Sequence, residues 1–163
     1  MTPAAPHIAY IGLGANLGDA AGALRDALAE LAANPGVQAC EASRFYRSAP
    51  VDATGPDFLN AAARLATTLA PLDLLALLQS IEAAHGRERP YRNAPRTLDL
   101  DLLCYDDVSL DTERLVLPHP RMTGRAFVLL PLRDLAPGLR LQGRGLDDWL
   151  AACGGQAIRP LPN

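Results

Sequence analysis

The run Arg96-Thr97-Leu98-Asp99-Leu100-Asp101-Leu102-Leu103 leaves its surroundings little freedom of fold. Read with a period of two, Leu98, Leu100 and Leu102 point one way, and Thr97, Asp99 and Asp101 point the other. Such a strand must lay its leucines on a core and carry two carboxylates on its opposite face. Cα atoms two apart along a strand are separated by roughly 6.5–7 Å, so both carboxylates can lean toward one point. At a separation of ~5 Å and an effective dielectric near ~20, they repel by ~3 kcal/mol. A divalent cation removes that cost, and oxygen-only ligands with no His or Cys pair beside them favour a hard ion such as Mg²⁺. The competing reading is a solvated strand face with two exposed aspartates. Arg87, Arg89, Arg92 and Arg96 lie just upstream. Cations beside a carboxylate pair suit a metal-bound polyphosphate, whose charge Mg²⁺ and arginine share.

A chain of 163 residues is expected to form one domain, residues 1–163, with a sizeable core. With 49% hydrophobic and 20% charged residues it reads as soluble and globular. Met1–His7 has neither a basic region nor an apolar core, so no leader is expected. Pro71 and Asp73 interrupt the longest apolar candidate for a membrane span, and no membrane association is expected. Cys40, Cys104 and Cys153 contain no CxxC and read as free thiols of a reducing compartment, the cytoplasm. A net charge of −3 argues against nucleic acid as a partner. The basic residues are all arginine, which excludes a Walker A lysine, a Schiff-base lysine and a protein-kinase lysine. Phosphate chemistry here must use arginine, metal, histidine or backbone amides.

Along the chain, His7–Leu13 reads as a first strand. Gly12–Gly18 fails the dinucleotide-loop pattern because Leu17 stands where its third glycine should be, which leaves a turn into a helix as the expected role. Asp19–Ala33 is helical, with Ala21, Leu24, Leu28 and Leu31 as its stripe and Asn34-Pro35-Gly36 as its stop. Val37–Arg47 reads as one strand and Ser48–Pro56 as a loop. Phe58–Leu69 alternates, placing Leu59, Ala61, Ala63 and Leu65 on the core face and Phe58 and Asn60 side by side on the other. An aromatic beside an amide can stack on a flat ring and bond its edge; alternatively, Phe58 is covered by another element. Ala70–His85 is a second helix, with Leu74, Leu75, Leu78 and Ile81 buried and Gln79 and Glu82 sharing a face. Gly86–Pro95 is a charged connection. A short strand or hairpin over Ser109–Val116 follows the aspartate strand, then Pro118-His119-Pro120, whose prolines restrict the backbone around His119. Arg125–Leu135 reads as a third helix with Phe127, Leu130 and Pro131 inward, and Leu146–Ala152 as a short fourth. The order suggests an α+β fold: a ferredoxin-like βαββαβ core, an antiparallel-rich sheet with helices packed on it, and additional C-terminal helices.

Pro95-Arg96-Thr97-Leu98-Asp99-Leu100-Asp101, preceded by Gly86-Arg87 and followed by Pro118-His119, resembles the 6-hydroxymethyl-7,8-dihydropterin pyrophosphokinase family of folate biosynthesis. Gly12–Gly18, Phe45-Tyr46-Arg47, Phe58-Leu59-Asn60-Ala61, Ile81-Glu82 and Arg125-Ala126-Phe127 extend the resemblance along nearly the whole chain. It implies transfer of the β,γ-diphosphate of ATP to the pterin hydroxymethyl group with release of AMP. Asp99 and Asp101 correspond to the metal-binding aspartates, holding two Mg²⁺ ions against the triphosphate. Arg87 and Arg96 correspond to the arginines that neutralise the transferred group. Arg89, Arg114, Arg125 and His119 match positions at the ATP phosphates or in support of them; Gln79, Glu82 and Leu102 match positions at the nucleotide. Phe58 and Phe127 correspond to the stacking aromatics and Asn60 to the amide that reads the pterin, with backbone around Ser48 and Val51 completing the pocket. A monomer is expected.

The chain departs from the family at two places. Phe58 stands where some members have tyrosine, keeping the ring and losing the hydroxyl. Tyr91-Arg92-Asn93-Ala94-Pro95 lacks the loop tryptophan of many members. The loops Ser48–Pro56 and Gly86–Pro95 are expected to close over bound nucleotide and pterin. The alternatives are another two-aspartate phosphotransferase or nuclease, and a non-enzymatic ferredoxin-like module for RNA or a ligand.

Overall fold

Strand β1 (His7–Ala15) pairs antiparallel with β4 (Phe58–Thr67) over its whole length, from His7 opposite Thr67 to Ala15 opposite Leu59. On its other side β1 pairs antiparallel with β5 (Asp99–Tyr105). The structure, a computed structural model, describes residues 5–16, 19–49, 57–85, 98–154 and 156–161. Helix α1 (Ala20–Ala33) leads to β2 (Val37–Ala42), then β3 (Tyr46–Ser48), both of which pair with the far edge of β4. Helix α2 (Pro71–His85) leads from β4 to β5, so each helical connection skips one strand. Every strand pair among the described residues is antiparallel.

Local chemistry sets the ends of α1. The Asp19 carboxylate caps it, accepting from Gly22 N–H at 2.9 Å. At its far end the Asn34 side chain accepts from Gly36 N–H at 2.8 Å. Gly36 lies so close to Leu69 that a Cβ there would meet its side chain at 2.6 Å. Leu24, Ala27 and Leu31 of α1 and Leu74, Leu78 and Ile81 of α2 cover one sheet face. Beneath them lie Ala9, Ile11 and Leu13, Ala61, Ala63 and Leu65, and Leu98, Leu100 and Leu102. Each large aliphatic side chain buried there contributes about 1.5–3 kcal/mol. The leucine face expected of the aspartate strand is present.

The single strand expected over Val37–Arg47 is broken in two. Ser43 N–H donates to Ala62 C=O at 2.8 Å, but Ala62 N–H donates to the Ser43 hydroxyl, also at 2.8 Å, rather than to a ladder carbonyl. A side chain has replaced the backbone, and β3 starts afresh beyond it. The face of β4 opposite the leucines is also covered, contrary to its reading as a non-core face. Helix α3 (Ala126–Leu135) packs there, and Ala62 is 0% exposed. A second cluster of Leu103, Cys104, Met122, Val128, Leu129, Leu132, Leu141 and Leu146 fills that layer. Leu103 is the extra residue of a bulge: Ile11 faces Leu102 and Tyr10 faces Cys104, so Leu103 and Cys104 both reach this cluster. In α3 the core positions are Val128, Leu129, Pro131, Leu132 and Leu135. Leu130 and Phe127, expected inward, are half-buried.

Of the strand or hairpin expected over Ser109–Val116, a hairpin is present, β6 (Leu110–Asp111) with β7 (Val116–Leu117), reaching one residue further, and β5 contacts β7. Unforeseen are a second hairpin, β8 (Arg140–Leu141) with β9 (Arg144–Gly145) before α4 (Leu146–Ala152), and strand β10 (Ile158–Pro160), which pairs with β3. The three cysteines are free; burial pushes the Cys104 thiol up to about 11.

A polar tie joins β3 to α3. Tyr46 is 2% exposed, and its hydroxyl donates to Asp134 at 2.9 Å. Arg44 donates to the same carboxylate from Nε and Nη2 at 3.2 and 3.1 Å. Burial pushes the Asp134 carboxyl up, but the bonds from Arg44 and Tyr46 outweigh it and hold it below the usual range. A carboxyl depressed in the folded state stabilises above its unfolded pKa, and that contribution is lost as pH falls through the folded value. Asp134→Asn is expected to lose about 1 kcal/mol at neutral pH after allowance for solvent screening, or about 2–4 °C in Tm. The variant should also decline less than the parent below about pH 4. Circular-dichroism melts from pH 7 to pH 3 check both.

Candidate active site

Covering the second sheet face leaves one end of it open. There a cleft of about 230 Å³ lies between the strands and the start of α3. It is lined by Gly12 and Gly14 of β1, Ser48 of β3, Phe58 and Asn60 of β4, and Asp99 and Asp101 of β5. Arg125, Phe127 and Val128 close it from the helix side. Seven of the residues singled out in the sequence thus meet in one place: Ser48, Phe58, Asn60, Asp99, Asp101, Arg125 and Phe127.

The strand registers explain this meeting. Asp99 and Asp101 stand opposite Gly14 and Gly12, and Gly14 stands opposite Asn60 on the other side of β1. Asn60 stands opposite Tyr46, and Phe58 opposite Ser48. These residues share one sheet face, with the glycines as its floor. The glycines were expected to form a turn, but they lie within β1, which continues to Ala15. A Cβ on either would stay 3.5 Å from its nearest neighbour, an ordinary contact. Packing does not demand glycine there; a side chain would take up space in the cleft. The readable signal was the alternation Ile11, Leu13, Ala15, which carries the strand past both glycines.

Asn60 is 3% exposed, and its amide donates to the Ser48 hydroxyl at 2.7 Å. Its amide and the Ser48 hydroxyl therefore form a fixed polar edge on the cleft wall. The Arg125 guanidinium sits 5.5 Å from the Phe127 ring centre, a cation–π distance. Asp99 and Asp101 are both partly exposed. Among the described residues no group of three His, Cys, Asp or Glu side chains could hold a metal. Two carboxylates without a fuller cage suit Mg²⁺, which keeps several waters and takes phosphate oxygens as ligands.

His119 is half-buried; its backbone N–H donates to Leu103 C=O at 2.9 Å, and its ring Nδ1 accepts from the Arg121 backbone N–H at 3.1 Å. Burial lowers its pKa first; Asp101 pulls it up, and Arg125 and Arg121 push it down. It stands beside the cleft, in electrostatic reach of Asp101 and Arg125. Glu82 reaches the same strand from α2, accepting from Leu100 N–H at 2.9 Å. Leu102 is 3% exposed with its side chain in the core, so only its main chain is free to meet a ligand. Gln79 on α2 and Arg114 in the β6–β7 turn are exposed and do not line the cleft. Arg87, Arg89, Arg96 and Val51 lie outside the described residues, as does most of the two loops expected to close.

A sequence model of the 7,8-dihydro-6-hydroxymethylpterin-pyrophosphokinase family, HPPK, matches residues 10–137. The chain belongs to this family. Among similar proteins, one of Pseudomonas aeruginosa named 2-amino-4-hydroxy-6-hydroxymethyldihydropteridine pyrophosphokinase is 47% identical over 155 residues, covering 94% of this chain and 96% of that protein. One of the same name from Methylorubrum extorquens is 46% identical over 144 residues, covering 88% and 91%. The fold is also similar to a crystal structure of an HPPK-DHPS protein in complex with substrates. That likeness has a TM-score of 0.71 at 12% identity, covering 91% of this chain and 43% of the other. The HPPK match takes in every strand and helix that lines the cleft except the first residues of β1.

Proposed function

We propose that this HPPK chain transfers the β,γ-diphosphate of ATP to the hydroxymethyl oxygen of 6-hydroxymethyl-7,8-dihydropterin, releasing AMP. The observation that carries the reading is a single cleft lined by two carboxylates, an arginine, two aromatic rings and a buried amide. Phe58 and Phe127 stack on the faces of the pterin, while Asn60 and Ser48 read its polar edge and orient it. Asp99 and Asp101 hold Mg²⁺, two ions by the family resemblance; bound there, the metal neutralises charge on the triphosphate. Arg125 supports the phosphates, as do Arg87, Arg89 and Arg96 by the same resemblance. His119 and Arg114 belong to this phosphate-supporting set, and Gln79, Glu82 and the Leu102 main chain to the nucleotide end.

The reaction needs little covalent help. The hydroxymethyl oxygen forms its bond to the β-phosphorus, the bond from that phosphorus to the α,β-bridging oxygen breaks, and AMP departs on the opposite side. Stacking and the Asn60 amide hold the attacking oxygen in line, and arginine stabilises charge on the bridging and equatorial oxygens. The hydroxyl proton passes to solvent or a carboxylate, with no obligatory protein base.

The reading treats residues 1–163 as one pyrophosphokinase domain, acting as a monomer in the cytoplasm. No described helix is long and apolar enough to cross a membrane. Incubation with ATP, Mg²⁺ and the dihydropterin, followed by nucleotide separation, tests the proposal. Pterin-dependent AMP is the expected product. Pterin-dependent ADP would mean that the terminal phosphorus is attacked, and a folded sample that consumes no ATP would refute the activity.

A further inference from the structure

The start of α3 is held by a side chain thirty positions away. Arg125, its N-cap residue, makes no side-chain capping bond, so the first-turn N–H groups need partners from elsewhere. Gln156 supplies one: its Oε1 accepts from Ala126 N–H at 2.9 Å, while its Nε2 donates to Gly124 C=O at 2.9 Å. The two bonds bracket Arg125, and Phe127 follows one residue later; both line the cleft. On its other side the Gln156 segment runs into β10, which pairs with β3 from Ile158 opposite Ser48. Ser48 in turn holds Asn60. Residues 156–160 therefore join the two walls of the cleft: the helix start with its ring and guanidinium, and the strand with its polar edge.

We infer that Gln156 is a positioning residue that fixes the distance between Phe127 with Arg125 and the Ser48–Asn60 edge. The inference rests on the cleft being the pterin site. It touches no reacting atom; it acts through the Arg125 backbone. Gln156→Ala removes both bonds and lets the helix start drift, so stacking weakens. Gln156→Glu keeps the acceptor for Ala126 N–H and loses the donor to Gly124 C=O, at nearly the same size.

The test compares pterin-dependent AMP formation by the parent, Gln156→Ala and Gln156→Glu. It also measures binding of the dihydropterin to protein holding α,β-methylene-ATP and Mg²⁺. Gln156→Ala is expected to raise the pterin KM and Kd about fivefold, with a much smaller change in kcat, and Gln156→Glu about twofold. A Gln156→Ala protein with a lower Tm but unchanged pterin KM and Kd would make Gln156 a structural peg and overturn the inference. If Gln156→Ala does not fold, an unchanged pterin KM in Gln156→Glu does the same. Failure of the underlying reading is distinguishable, because the parent itself would then give no pterin-dependent AMP.

Discussion

Asp101→Ala, and separately Asp99→Ala, should abolish turnover, by about a thousandfold or more, in a protein that still folds. Both carboxylates face the cleft while their strand neighbours Leu100 and Leu102 are in the core. Removing either side chain leaves that core intact. The ligand-free Asp101→Ala protein should melt within a few degrees of the parent, while Mg²⁺-dependent AMP formation collapses in both variants because the triphosphate loses its cation. The melt and the product assay together separate a lost metal site from a lost fold. Parental turnover in both variants would overturn the metal assignment.

The second large effect is expected at Asn60. Its amide is 3% exposed and bonded to Ser48, so Asn60→Ala removes a donor and an acceptor from a buried position on the cleft wall. Sites built to hydrogen-bond a substrate lose far more than the bond's net contribution when a polar partner is missing, because the remaining groups stay desolvated. The kcat/KM for the pterin is expected to fall about a hundredfold or more, while the KM for ATP stays within about twofold. Stability should drop by about 1–2 kcal/mol, since Ser48 loses the donor to its hydroxyl. Ser48→Ala should cost less on both counts, leaving the amide in place. Equal losses in the ATP and pterin parameters of Asn60→Ala would place its role outside pterin recognition.

What could be read in the chain depended on whether the cause was local. Leu98, Leu100 and Leu102 alternate with the aspartates, so their strand and its two faces followed from periodicity. The ends of α1 followed from Asp19 and Asn34, whose side chains bond backbone within a few residues. The break after Ala42 did not, because Ser43 acts on Ala62, in a strand it meets only after folding. Strand β10 carries too little pattern in Ile158-Arg159-Pro160; it exists because β3 offers an edge. The covered second face was hidden in the small side chain of Ala62, which lets α3 approach. In the site, the spacing of Asp99 and Asp101 and the shared face of Phe58 and Asn60 were visible in the residues themselves, whereas Arg125 and Phe127 entered through the family resemblance; the structure lines one cleft with all six. Gly12 and Gly14 were misread because glycine signals a turn more often than a vacancy. Gln156 has no local motif at all.

Those two glycines bear on how the cleft would answer to synthetic ligands. Where pocket floors are made of side chains, rotamer changes let a bulkier compound in at modest cost. Here the floor is main chain in a central strand, hydrogen-bonded on both sides to β4 and β5. Such a surface yields only if the sheet itself is disrupted. A flat heterocycle held between Phe58 and Phe127 can approach it closely, but a substituent directed at it has nowhere to go. Tolerance in an inhibitor series should therefore be lowest for bulk directed at β1. Alanine at Gly14 would impose the same refusal from the protein's side without disturbing the fold.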